Sequence, residues 1–143
     1  MLVRCLYASR PTKPMPSYLV EEILAQSRKN NPQRGITGLL CFTSSVFVQL
    51  LEGGRDEVCE LFNKIARDER HHDVRLLVYE EITERCFSSW SMGQVNVHSI
   101  NAALLLKYSE KAELDPFRTS GQVTMALLME LVESGAIVNR GGA

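Results

Sequence analysis

Two apolar runs, GITGLLCF at residues 35–42 and VFVQLLE at 46–52, are separated only by Thr43-Ser44-Ser45, and Gly53-Gly54 closes the second. The pattern predicts a β-hairpin. Helix signals flank it on both sides. Before it, Ser17 is placed to cap a helix over about 18–31, with Glu21 and Glu22 near the positive N-terminal end and Pro32 limiting it at Asn31. After it, Asp56 and Glu57 open a helix to about Arg67, with Val58, Leu61, Phe62 and Ile65 at helical spacing. Residues 2–9 alternate around Val3, Cys5 and Tyr7 and read as a strand that the PTKPMPS segment breaks. RLLVYEEI within 74–82 gives another strand, and SMGQVNV at 91–97 a fifth. The order β-α-β-β-α-β-β predicts an α+β fold: a ferredoxin-like sheet with two helices on one face, plus an added strand.

After about residue 98 the composition changes, so the chain is divided into a unit over 1–98 and a helical C-terminal extension over 99–143. Two helices are expected there, at 100–108 and 119–134, joined by a loop containing Pro116. The second, with QVTMALLMELVE, is apolar over a broad arc and calls for burial against either the open face of the sheet or another subunit.

Bulk properties exclude several classes. A net charge of −1 over 143 residues gives no basic footprint for nucleic acid. No apolar run approaches the roughly 20 residues of a membrane span, and the N-terminus is too short in apolar residues for a signal peptide. Cys5, Cys41, Cys59 and Cys86 form no CxxC pair, which fits buried thiols in a reducing cytoplasm.

Functional information lies where polar groups interrupt apolar patterns, because a buried polar group without a partner costs roughly 1–3 kcal/mol. Val20, Ile23, Ser27 and Asn31 share one helix face whose C-terminal half is polar, with Asn30 alongside. The amides read either as an ordinary helix terminus or as donor–acceptor groups for the edge of a planar ligand. Gln49 sits in an apolar strand between Phe47 and Leu51, as a satisfied core amide or as a hydrogen-bond relay. Tyr7 shares a face with Val3 and Cys5, and Trp90 and Met92 share a face of the last strand; each alone reads as core. The run Asp68-Glu69-Arg70-His71-His72 is the densest polar cluster. Adjacent histidines in a strand point to opposite faces, so no metal site is expected. No nucleophile elbow, HExxH, P-loop or dinucleotide fingerprint occurs, and no catalytic set emerges.

Together these residues resemble the BLUF family, the blue-light sensors using FAD. The carriers are LYAS with Tyr7, SRKNN with Ser27, Asn30 and Asn31, GITGLL, VFVQLLEG with Gln49, DERHH, and WSM with Trp90 and Met92, spanning Leu2 to about Val97. The tail, including LLLKYS, resembles the two-helix extension of short, stand-alone, PixD-like members. The resemblance implies FAD bound between the two helices. Asn31 would meet the flavin C4=O/N3–H edge, with Asn30 and Ser27 nearby, and Gln49 would lie between Tyr7 and flavin N5/O4. Ile23, Phe47 and Ile65 would line the ring, and Lys64, Asp68, Arg70 and His71 would lie toward the ribityl and phosphate end.

It also implies a non-enzymatic light cycle. Tyr7 gives an electron and a proton, Gln49 rearranges its hydrogen bonds, and Trp90 and Met92 carry the change to the tail. A homo-oligomer and a separate signalling protein, a response regulator or transcriptional regulator, are the implied partners, in the cytoplasm, with neither nucleic acid nor membrane bound directly. The competing readings are a non-photoactive interaction module and a small hydrolase on the ferredoxin-like scaffold. FAD and FMN are not distinguished by these motifs.

Overall fold

The computed structural model describes residues 1–13, 17–88, 91–96, 100–134 and 137–139. Chain order is β1 (Leu2–Pro11), α1 (Ser17–Arg34), β2 (Thr37–Phe42), β3 (Phe47–Gly54), α2 (Arg55–Ala66), β4 (His71–Ile82), β5 (Gly93–Asn96), α3 (Ala102–Tyr108), α4 (Gly121–Glu133) and β6 (Ile137–Asn139). The sheet order is β4-β1-β3-β2-β5-β6. β3 lies between β1 and β2, and β1 lies between β3 and β4, each pair antiparallel. The fold therefore holds two split β-α-β units, the arrangement expected from the hairpin between two helices. β5 adds to β2 in parallel, and β6, for which no sequence signal was read, pairs antiparallel with β5.

Alternation along the strands divides the core in two. Val3, Cys5, Tyr7, Leu40, Phe47 and Leu51 face α1 and α2, where Val20, Leu24 and Val58 close over them. Leu6, Ala8, Leu39, Cys41, Val48 and Leu50 face the other way, onto Leu105 of α3 and Leu127, Leu128 and Leu131 of α4. The apolar arc of the tail is thus buried on the open face of the same sheet. The expected boundary at residue 98 falls outside the described residues, and the units on either side share an apolar core.

α1 departs from the sequence reading at its end. It runs through Pro32 to Arg34. Proline removes one hydrogen bond, and the chain closes the turn beyond it instead. Gly35 takes φ 67°, its N–H donates to Pro32 O at 3.2 Å, and Ile36 N–H donates to Asn31 O at 3.0 Å. This is a Schellman closure, which needs a residue at ease with positive φ. It places Asn31 inside the last turn rather than at its cap. β4 starts earlier than expected, at His71, and slips register against β1 between Ala8 and Arg10, where Asp73 adopts φ 53°.

α4 packs tightly on β4 at Gly121. A Cβ there would meet the carbonyl of Leu77 and come within 2.7 Å of Val78 Cγ2. At the other end of the sheet, Glu52 is fully buried. Its carboxylate accepts from Arg4 Nη2 at 2.8 Å and from the backbone N–H groups of Cys86 and Phe87, both at 2.9 Å. That cluster pins the segment leading from β4 toward β5.

Candidate functional site

Between α1, α2 and the sheet lies a cavity of about 290 Å³, at the lower edge of the roughly 300–1,000 Å³ typical of small-ligand sites. β1 and β3 are antiparallel neighbours with Tyr7 directly opposite Gln49, which sets the two polar side chains of the floor together. β3 also contributes Phe47 and β2 contributes Leu40. α1 supplies Ile23, Ser27, Asn30 and Asn31, one turn after another, and α2 supplies Lys64 and Ile65. Asp68, Arg70 and His71, at the entry to β4, complete the rim. The cavity thus brings together every residue expected to contact a cofactor. It also has lining residues that sequence reasoning missed: Gln26, Arg34, Leu40 and Leu61. Gln26 lies one helical turn before Asn30, so helical spacing could have found it. Arg34 depends on α1 running past Pro32. Trp90 lies outside the described residues, whereas Met92 is fully buried against the cavity floor.

The floor is a chain of oriented groups. Tyr7 Oη donates to Gln49 Oε1, and Gln49 Nε2 points at Met92 Sδ, 3.5 Å away. Tyr7, Gln49 and Asn31 are all buried. Burial pushes the Tyr7 phenol well above its ordinary range, and the nearby Cys5 thiol and Asp68 carboxylate add to the shift. The phenol is therefore held in its neutral form, able to donate its hydrogen bond to Gln49. Phe62 meets Tyr7 edge-on, at 5.6 Å between centroids, and fixes the ring.

Asn31 is oriented by a carbonyl. Its Nδ2 donates to Ser91 O at 2.9 Å. A carbonyl only accepts, so the amide oxygen is the end turned to other partners. At the rim, His71 is held at both nitrogens, by Ile65 O at Nε2 and by Ser9 Oγ at Nδ1, 2.8 Å away. Ile65 O can only accept, which puts the ring proton on Nε2 and leaves Nδ1 to accept from the Ser9 hydroxyl. His72 points away and lies 3.7 Å from Asp73. Arg70 lies against Asp68, with Nη2 2.6 Å from Oδ2. Its hydrogen bonds hold the Asp68 carboxyl below the usual carboxylate range. The arrangement is apolar-walled, amide-edged and cationic at its rim through Arg34, Lys64 and Arg70. That chemistry suits a flat heteroaromatic ring carrying an anionic tail.

Residues 2–93 match the family profile described as sensors of blue-light using FAD. The chain belongs to the BLUF family. BLUF domains bind FAD, and the donor set of the cavity fits that group. Over 92 residues the chain is 35% identical to photoactivated adenylate cyclase subunit beta of Euglena gracilis, covering 64% of this chain and 11% of that protein. Over the same length it is 32% identical to the blue light- and temperature-regulated antirepressor BluF of Escherichia coli K12, covering 64% of this chain and 23% of that protein. Among solved structures, the BLUF protein BlrB in its dark state superposes with TM-score 0.78 at 32% identity, covering 94% of this chain and 96% of that one. BlsA in its photo-activated state gives 0.80 at 32% identity, covering 92% and 95%. The structural likeness therefore continues past the end of the profile match at residue 93. Among the described residues no helix is long and apolar enough to cross a membrane.

Proposed function

We propose that this BLUF protein is a non-catalytic light switch in which Tyr7, Gln49 and Met92 form the photoactive relay and residues 99–143 form the output unit. The observation that carries the reading is the continuous contact from the Tyr7 hydroxyl through the Gln49 amide to the Met92 thioether on the floor of one cavity.

Bound flavin would supply blue-light absorption and, once excited, a strong oxidant. Asn31 Oδ1 would be free to accept from the imide N3–H, since its Nδ2 is committed to Ser91 O. Ile23, Phe47 and Ile65 wall the ring, with Ser27 and Asn30 along its polar edge. Lys64, Arg70 and His71 flank the ribityl and phosphate end, where Arg34 adds a further cation and Asp68 orients Arg70. Tyr7 would give an electron to the excited flavin while its proton moves onto Gln49 Oε1 along the existing hydrogen bond. Return of both the electron and the proton to Tyr7 would leave the flavin as it began and the Gln49 amide rearranged, which would release or recapture Met92. Output requires that the two arrangements differ in free energy of packing. Met92 immediately precedes β5, and β5 carries its neighbours to the face covered by α3 and α4. A homo-oligomer and a separate signalling protein in the cytoplasm complete the reading.

The test is the absorption spectrum before and after blue light. Wild type is expected to shift slightly to the red and recover in the dark. Tyr7→Phe is expected to remain yellow without that shift. A Tyr7→Phe protein that forms the same long-lived shifted state removes the relay.

A further inference from the structure

The row Val20–Leu24 on α1, buried against the sheet, continues one turn further to Arg28, which is half-buried. Its guanidinium does not line the cavity. It reaches the opposite way, to the backbone at the start of β5, where Nε and Nη2 donate to Met92 O at 3.3 and 3.2 Å. One turn on, Asn31 Nδ2 holds the preceding carbonyl, Ser91 O. The Met92 side chain, fully buried, takes the Gln49 amide at Sδ. The same residue is thus gripped at its side chain by the cavity floor and at its carbonyl by a cation from α1.

We infer that Arg28 is a positioning residue that clamps the Met92 carbonyl and so sets how long the lit arrangement lasts. This rests on the photoswitch reading above. A forked cationic donor on a single carbonyl is stronger than a neutral hydrogen bond and fixes direction as well as distance. Movement of Met92 away from Gln49 must drag or break that clamp. The clamp therefore favours the arrangement with Met92 inward, and its re-forming assists the return from the lit state. Weakening it destabilises the dark arrangement and slows recovery.

The experiment measures dark-recovery rate and backbone hydrogen exchange in flavin-loaded full-length Arg28→Met, Arg28→Gln and Arg28→Lys, with Lys29→Met as the exposed neighbouring control. Arg28→Met is expected to keep the flavin and the red shift and to recover at least fivefold more slowly. Its amides at 92–96 should exchange faster in the dark. Arg28→Lys, which keeps the charge, should fall between Arg28→Met and wild type, and Lys29→Met should match wild type. Should Arg28→Met lose its flavin or fail to fold, Arg28→Gln and Arg28→Lys decide by the same two readouts. Wild-type recovery and wild-type exchange at 92–96 in flavin-loaded Arg28 variants overturn the inference. A wild-type protein that never shifts overturns the photoswitch reading instead, while dark exchange at 92–96 still reports on the clamp.

Discussion

The two faces of the sheet are built from alternate residues of the same strands, yet they solve different problems. On one face, Tyr7, Gln49 and Phe47 leave a cavity under α1 and α2 and present polar groups to it. On the other, Leu6, Val48 and Leu50 are sealed by α3 and α4, and the fully buried polar group there, Glu52, spends its carboxylate on Arg4 and backbone N–H groups. The cavity face keeps hydrogen-bonding capacity for something that binds, whereas the tail face uses its capacity up internally. β3 carries both functions, with Gln49 between Val48 and Leu50, as β1 does with Tyr7 between Leu6 and Ala8. A displacement of that strand or of its neighbours is felt on both sides at once.

The sharpest way to break this contrast is on the tail face. Glu52→Ala leaves the Arg4 guanidinium with only the exposed Glu80 as a carboxylate partner and removes the acceptor that holds Cys86 and Phe87. Removing one member of a buried charged pair costs about 3–5 kcal/mol, so the variant should unfold at much lower urea than wild type. A loss below about 1 kcal/mol would mean that the cluster is wetter and looser than its geometry.

Much of this contrast was legible before the coordinates, and the limits are instructive. Apolar runs with turn residues, alternation, helical spacing and cap or proline signals located β1 to β5 and all four helices, because these signals are local in sequence. Gln49, Asn30 and Asn31 were legible as amides in or beside apolar patterns, whereas Tyr7 alone read as core, and Ile23, Phe47, Lys64, Ile65, Asp68, Arg70 and His71 were placed at the cofactor by the family resemblance. Glu52 carried the same kind of signal, a carboxylate closing the run VFVQLLE, and the buried-polar rule that singled out Gln49 applies equally to it. Its partners were not legible, since Arg4 and Cys86 lie 48 and 34 residues away in sequence. The destination of the tail helices was left between the sheet and another subunit for the same reason: an apolar arc states that it is covered, not by what. Arg28 and Arg34 were missed because a cation near a helix end reads as solvated until the fold supplies a carbonyl or a cavity. The turn beyond Pro32 depends on Gly35, whose positive φ closes the helix where proline alone was expected to end it.

A second, milder break separates the faces rather than destroying one. At Gly121 any side chain collides with the Leu77 carbonyl, which is backbone and cannot swing aside. Gly121→Val should cost about 1–3 kcal/mol as an overpacked contact and lift the start of α4 from β4. The cavity residues are untouched, so flavin content and the light-induced shift should survive while protease cuts the tail faster. Equal loss of flavin and of tail protection would show that the two faces cannot be uncoupled at this position.

The smallest expected effect sharpens the comparison by setting a rim ion pair beside the buried one. Asp68 and Arg70 meet at 2.6 Å, but their side chains remain 30% and 38% exposed, against 0% for Glu52. Water screens such a pair, so its contribution should stay below about 1 kcal/mol. The sign follows from Asp68: hydrogen bonds from Arg70 lower its pKa in the folded state, so the ionised form is the stabilising one. The contribution is then fully present above the ordinary carboxylate range near pH 4 and disappears as pH falls through the lowered value. Urea midpoints of wild type and Asp68→Asn should differ slightly and constantly from pH 6 to 8, and the gap should narrow progressively as pH falls below about 4. A gap that keeps its full size well below pH 4 would assign the effect of Asp68→Asn to how the new amide packs rather than to the lost charge, because the amide oxygen can still accept from Arg70 N–H.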